Sequence, residues 1–481
     1  MSQARLASCI PLPLEAKVLS NVIEKAKDWA LMHGVGMRDK NHFTKDAIQI
    51  APFVLLPSPF PKAEFEKAVE LQPVLNELMH KVAHDDEFLE QTLQNALQVD
   101  EFTANLYNIW LKVREEGIAQ QVSLGLFRSD YLMTHPDGNK IKQVEFNTVS
   151  VSFGALTSYL PAMFRYTLRQ LGRHDLIKNM PENRALSGLC SGIIEAYDLF
   201  GVPGAVILFV VEEVSYNICD QRFHEFEISE TRPEIQIHRK TLNEIYEETE
   251  LNDKKQLMLD GRAVAVVYYR SGYEPAQYPS SREWDARLRV ERSTAIKCPS
   301  IHYQLAGTKK VQQALASPGV LEKFMGTGAA TGRVRDIFTG LYSLDFDEGG
   351  ERAVEMALAD AERFVLKPQR EGGGNNLYGS EVKEALLKMR HSRERAAYIL
   401  MERILPPLVS GYVVRPGASV PPPVSDLVSE LGIFGVIIGT KDKIYSNRQV
   451  GHMLRTKLAD ANEGGVAAGL GALDSPFLVD M

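Results

Sequence analysis

The chain has 481 residues, with 54 Lys and Arg against 62 Asp and Glu and a net charge of −8. An acidic protein has no general attraction for nucleic acid or an anionic membrane, so neither partner is expected and any anion site must be built locally. Four cysteines (Cys9, Cys190, Cys219, Cys298) stand far apart with no metal-ligand spacing, which excludes a disulfide scaffold or zinc module and points to a reducing, cytoplasmic setting.

The start of the chain lacks the apolar run of a signal peptide. No segment approaches the ~18 consecutive apolar residues that read as a membrane span. Residues 14–33 carry apolar side chains at three- and four-residue intervals and stop at Gly34, a favoured helix-ending residue. Similar spacing predicts helices over 62–82, 87–99 and 102–116. Segments 121–127 and 140–146 alternate as strands, with the turn signal Asp137-Gly138 between them. Runs 205–211 and 263–269 are short, continuous and apolar, as buried parallel strands are. Helical patterns near 220–228 and 241–248 lie between them, so 205–305 reads as a small α/β unit. Further strands are expected over 363–367, 397–402, 409–415 and 433–439. PGASVPPP (416–423) can only be a surface loop.

Four stretches carry chemistry. KPQREGGGNN (367–376) follows a strand, and its glycines let main-chain N–H groups approach an anion closely. There Lys367 offers a point charge to phosphate and Glu371 a hard oxygen to Mg²⁺. A flexible surface turn has the same composition, and the spacing matches neither the P-loop nor the dinucleotide fingerprint. In QVEFNTVSVS (143–152), strand alternation puts Glu145 and Asn147 on one face, a Mg²⁺ half-site. A bend after Thr148 is needed to turn Ser150 and Ser152 toward the same ligand. YYRSGY (268–273) sets Arg270 at a strand's C-terminal end, where open α/β sheets place ligand contacts. VGHMLRTK (450–457) puts Arg455 and Lys457 on one face if extended, with His452 structural.

Together these stretches resemble the eukaryotic-type glutathione synthetases, an ATP-grasp ligase family. The resemblance covers residues 14–478 and rests on GLFRSDY (125–131), EFNTVSVSFG (145–154), LAGTKKVQQ (305–313), FVLKPQREGGGNNLYG (364–379), SELGIFGV (429–436) and RTKLADANEGGVAAG (455–469). It implies a mixed α/β ATP-grasp fold: a helical part (1–120), a body bearing metal and substrate motifs (121–204), a substrate-binding α/β domain (205–305) and a nucleotide-binding region (306–481) with glycine-rich lids. By position, Glu145, Asn147 and Glu371 resemble the Mg²⁺ ligands. Lys309, Lys367, Gly372, Gly373, Gly374, Asn376, Tyr378, Glu430, Lys457 and Glu463 resemble ATP contacts, and Met401, Glu402, Arg403 and Ile404 the strand that reads adenine. Arg128, Arg270 and Arg455, taken as catalytic, share the dipeptide site with Ser150, Ser152, Asn217, Gln221 and Tyr273. Val466 and Ala467 lie in the loop closing over it. Two departures stand out: Ser215 replaces a usual acidic residue, and Glu463 replaces Asp.

The resemblance further implies a homodimer that ligates γ-glutamylcysteine to glycine through an acyl phosphate. Phosphoryl transfer is chiefly positioning and charge neutralisation, so no side-chain nucleophile is required. The loops 372–374 and 464–469 are expected to exclude water. Two other readings are weighed: the same chemistry with β-alanine as acceptor, and a non-catalytic nucleotide-binding scaffold. Relatives using β-alanine carry bulkier residues at the positions of Ala467 and Ala468, which favours glycine here.

Overall fold

The structure, a computed structural model, describes residues 4–135, 138–418, 421–462, 464–466 and 470–480. Asp137, Glu463, Ala467, Ala468 and Gly469 lie outside the described residues.

The backbone of the fold is a nine-stranded sheet. Strands Ser425–Thr440 and Lys443–Leu458 form a long antiparallel hairpin, Ser123–Thr134 pairs with the first, and Lys140–Asn147 with Ser123–Thr134. Alternation divides these strands between two cores. Phe127, Tyr131, Leu431, Ile433 and Leu454 pack with the helix Lys62–Ala83. Leu124, Leu126, Phe434, Val436 and Ile438 face the helices Gly154–Gln170 and Ala185–Phe200. Both faces of the sheet are therefore covered by helix.

A second sheet of six strands spans residues 206–298, and its strands Val206–Val210, Gln236–Lys240, Arg262–Tyr269 and Ile296–Cys298 run parallel. Its two remaining strands are antiparallel additions at one edge. A third, antiparallel sheet joins Leu341–Ser343, Tyr398–Glu402, Phe364–Pro368 and Leu377–Tyr378. It has its own small core, with Val354, Leu366, Leu386 and Leu400.

Several expectations are corrected in detail. The helix expected over 87–99 is Asp86–Leu93 followed by a separate turn at Ala96–Gln98. The strand expected over 409–415 is two pieces, Leu408–Gly411 and Val413–Val414, which pair with different neighbours. Gly34 does end the first helix, Ala16–Met32, at φ +69.

Three histidines meet beneath the hairpin turn. His80 and His84 rings lie 4.4 Å apart, and His84 and His302 rings 4.8 Å apart. His80 Nδ1 is 2.5 Å from the Tyr303 hydroxyl and Nε2 is 2.9 Å from the Thr440 carbonyl. Burial pushes all three imidazoles below the usual histidine value, His80 to about 4. The unfolded chain, with histidines near 6.5, then binds more protons than the folded one in the interval below that value. This stabilisation is complete above about pH 6.5 and is lost as pH falls toward about 4. The thermal midpoint should therefore drop between about pH 7 and about pH 5, and drop less in His84→Gln. Calorimetry across that range checks this; equal slopes for the two proteins would contradict it.

Candidate functional site

The charged residues of the site continue the face of the central sheet that is apolar farther along. On Ser123–Thr134 the series runs Leu124, Leu126, Arg128, Asp130, and on Ser425–Thr440 it runs Ile438, Val436, Phe434, Gly432, Glu430. Register sets Asp130 opposite both Glu145 and Gly432, Asn147 opposite Arg128, and Arg455 opposite Glu430. Residues as far apart in the chain as Arg128 and Arg455 thus share one surface by pairing alone. Gly432 keeps room for it: a Cβ there would lie 2.9 Å from Arg128 Cδ and 2.9 Å from Asp130 Oδ1.

Charges on this face are matched in pairs. Asp130 is fully buried and accepts two bonds from Arg128, at 2.6 and 2.7 Å. It also accepts Asn147 Nδ2 at 3.0 Å and lies 3.5 Å from Arg455 Nη2. Arg455 donates to Glu430 as well. Lys309 Nζ lies 3.2 Å from Glu145 and 3.1 Å from Glu371. Its helix, Lys309–Leu315, is tied to the strand edge because Gln312 both accepts from Phe146 N and donates to Phe146 O. Lys367 Nζ donates to Val144 O at 3.0 Å.

These neighbours split the acids. Burial acts to raise Glu145, but Lys309, Lys367 and Arg455 outweigh it and hold the group below the usual carboxylate range. Burial and the Glu145 charge raise Glu371 despite Lys309. Glu430 is raised by burial against Arg455. Burial also lowers Lys367, whereas Lys309 is raised because its two carboxylates outweigh burial.

After Asn147 the chain bends as expected. Ser150 (φ 51) and Phe153 (φ 72) are left-handed non-glycine residues, a costly conformation held here by specific contacts. Asp220, fully buried in Ile218–Thr231, accepts the N–H groups of Phe153 and Ala155 at the start of Gly154–Gln170. Arg270 then binds Val151 O at 2.7 Å, Ser152 Oγ at 2.8 Å and Asp220 at 3.1 Å.

A cleft of two contiguous lobes opens on this surface. One, about 250 Å³, is lined by Arg128, Glu145, Asn147, Ser150, Ser152, Tyr273, Glu371, Gly372, Gly373, Glu430, Arg455 and Val466. The other, about 140 Å³, is lined by Met401, Glu402, Arg403, Ile404, Val365 and Val428. Lys367, Asn376, Tyr378 and Lys457 border both. Within the second lobe, the N–H groups of Glu402 and Arg403 already bond Gly340 O and Arg363 O. A wider groove of about 870 Å³ beside the parallel sheet, lined by Ser215 and Arg239, lacks the lysine–carboxylate constellation.

Most of the expected residues therefore meet in one cleft. Lys309, Gly374, Arg270, Asn217 and Gln221 do not line it: Lys309 lies behind Glu145 and Glu371, Asn217 donates to Asp220 and Gln221 accepts from Arg239, one layer behind Ser152. Sequence reasoning passed over Asp130 and Asp220, although Asp130 stands inside the quoted GLFRSDY. The cysteines are free, and burial pushes the Cys9 and Cys298 thiols up to about 12, which makes them poor nucleophiles. Ser215 lies beside Arg239, its hydroxyl 3.3 Å from Nη2.

The donor set fits a hard divalent cation. Two carboxylates already converge on one positive centre, the Lys309 ammonium, and Asn147 is bonded to Asp130 through its nitrogen, leaving the oxygen as its donor. Among the described residues no group of three or more acids, histidines or cysteines could hold a metal, and Glu145 and Glu371 are the carboxylates that meet at Lys309.

Comparison with known proteins identifies the family. The model of the eukaryotic glutathione synthase ATP-binding domain matches residues 16–478. The chain is 44% identical to Xenopus laevis glutathione synthetase over 469 residues, covering 97% of this chain and 98% of that protein. It is 46% identical to the Homo sapiens glutathione synthetase over 465 residues, 96% and 97% of the two chains. Identity to the chloroplastic glutathione synthetase of Arabidopsis thaliana is 38% over 475 residues, 97% of this chain and 86% of that one. A solved glutathione synthetase-like effector from Globodera pallida superposes with a TM-score of 0.78 at 26% identity, covering 98% of this chain and all of its own, consistent with an ATP-grasp-type fold. The chain belongs to the eukaryotic glutathione synthase family.

Proposed function

We propose that this chain makes glutathione from γ-glutamylcysteine and glycine, driven by ATP. The observation that carries the reading is the pairing of Glu145 and Glu371, which line the first lobe, with Lys309 behind them, beside Lys367, which borders both lobes. Acid and amine do not condense in neutral water, so the dipeptide's C-terminal carboxylate must first be activated. Its oxygen attacks the γ-phosphorus and ADP leaves; glycine's amine then attacks the acyl carbon, and phosphate departs with that oxygen.

In this reading Met401–Ile404 receive the base, while Lys309, Lys367 and Lys457 hold the phosphates. Glu145, Asn147 and Glu371 would hold Mg²⁺, which when bound neutralises charge on the transferring phosphoryl group. Ser150, Ser152, Tyr273, Arg128 and Arg455 face the dipeptide. Arg270, Asn217 and Gln221 act from behind by fixing the Ser152 bend. Val466, which lines the cleft, faces the amine and together with Gly372 and Gly373 helps keep water from the acyl phosphate. Domain limits at 120, 204 and 305, with the 206–298 sheet in the third segment, and a homodimer complete the proposal. No described helix is long and apolar enough to cross a membrane. The four free thiols support a reducing compartment.

ADP release should require both γ-glutamylcysteine and glycine, with one tripeptide per ADP, in a coupled assay with product analysis. Glycine should exceed β-alanine by roughly tenfold or more in kcat/KM, since about one methylene separates them. Equal use of both would favour the broader ligase, and Mg²⁺-dependent ATP binding without ligation of any amine would favour the scaffold.

Glu371→Gln keeps the size of the side chain and removes its charge. Turnover should fall by roughly 10²–10³, the usual effect of losing one preorganised electrostatic contact. Near-normal turnover at saturating Mg²⁺ would remove Glu371 from the metal site.

A further inference from the structure

Arg370 immediately precedes Glu371 and has no part in the reaction as proposed above. Its Nη1 donates to Asp100 Oδ1 at 2.6 Å and to Gln369 O at 2.6 Å. Asp100 is buried and caps the helix Glu101–Glu115: its Oδ2 accepts the N–H of Thr103 at 3.3 Å and also the Thr103 hydroxyl. The carboxylate is thus divided, one oxygen for the cap and one for Arg370. On the other side Gln369, also buried, accepts the N–H of Lys310 at 3.0 Å, and its own N–H bonds Ala397 O. Lys310 follows Lys309, the partner of Glu371. Residues 369 and 370 are therefore moored to two separate helices just before Glu371. Just after it, Gly372 (φ +82) and Gly374 (φ +96) have open space, with nothing within 4 Å of where a Cβ would stand. The moorings at 369 and 370 thus stand directly against the left-handed glycine turn that follows Glu371.

We infer that Asp100 is a positioning residue for Glu371. Through Arg370 it fixes the chain just before Glu371, so that the Glu371 carboxylate stays with Lys309, which also meets Glu145. The pair is half-buried rather than exposed, with side chains 32% and 3% accessible, so water screens it less than an ordinary surface bridge. The inference rests on the metal-binding role proposed for Glu371.

Asparagine at position 100 can still cap the helix but carries no charge for Arg370; alanine removes both. The test measures ATP binding by calorimetry across a Mg²⁺ series, together with amide exchange of the ligand-free protein. Asp100→Asn should raise the Mg²⁺ needed for half-maximal ATP binding roughly three- to tenfold, a range typical of coupled neighbours. Arg370→Gln should do the same, and the double variant should be no worse than either single one. Exchange at Gln369 and Arg370 should quicken in Asp100→Asn while Ala104, bonded to Asp100 O, stays protected. A shift in Asp100→Ala with none in Asp100→Asn would assign the effect to the cap and overturn the proposal, as would additive losses in the double variant. If Glu371→Gln shifts the Mg²⁺ dependence and Asp100→Asn does not, the positioning role alone falls. If Glu371→Gln shifts nothing, the metal role falls and the proposal with it.

Discussion

Pairing of opposite charges on a buried sheet face is the condition on which the site depends. Arg128 with Asp130, Arg455 with Glu430, Arg270 with Asp220, and Lys309 with Glu145 and Glu371 put charged groups where water is largely excluded. Each can be buried only because its partner is within bonding distance, and deleting one partner leaves an uncompensated buried charge, which is strongly destabilising. The pairs also set the direction of each guanidinium group. Arg128 is held by the two oxygens of Asp130, and Asp130 in turn turns the amide of Asn147. One aspartate thereby aligns a proposed substrate contact and a proposed metal ligand together.

That arrangement suits phosphoryl transfer. A nucleotide and its metal bring many charges of both signs, and a cleft of matched pairs can exchange partners locally without large changes in net charge. In the proposed reaction Lys309, shared here by two carboxylates, is the group whose partners would change most directly. The four cysteines stay outside the cleft: Cys190 and Cys298 are buried, Cys9 and Cys219 half-buried, and desolvation raises all four thiols. His452 is likewise structural: it is buried and lies between Asn183 and Thr157 on its main chain and the Phe65 ring.

What the residues disclosed in advance were the local features. Alternation placed Glu145 with Asn147 and Arg455 with Lys457, since side chains two apart on a strand must share a face. The need for a bend after Thr148 followed from the same rule, and Ser150 and Phe153 supply it. Asp130 obeyed the rule too, but its importance depends on register with strands near 145, 432 and 455, which no local pattern specifies. Asp220 acts on Phe153 and Ala155 from a different sheet's helix, and Asp100 reaches Arg370 across 270 positions. The break in the helix expected over 87–99 falls at Gln94–Asn95, without the glycine or proline that signals an ending. Arg270 was placed correctly at a strand end, yet its guanidinium turns to the protein, because Val151, Ser152 and Asp220 take up its donors.

The central claim is that the cleft activates a carboxylate by phosphorylation before the amine attacks. It is tested most directly with γ-glutamylcysteine labelled by ¹⁸O in its C-terminal carboxylate, by mass analysis of the inorganic phosphate released during one turnover with glycine. An acyl phosphate requires one labelled oxygen to leave in each phosphate formed. Phosphate free of label, with tripeptide formed at the normal rate, would contradict it.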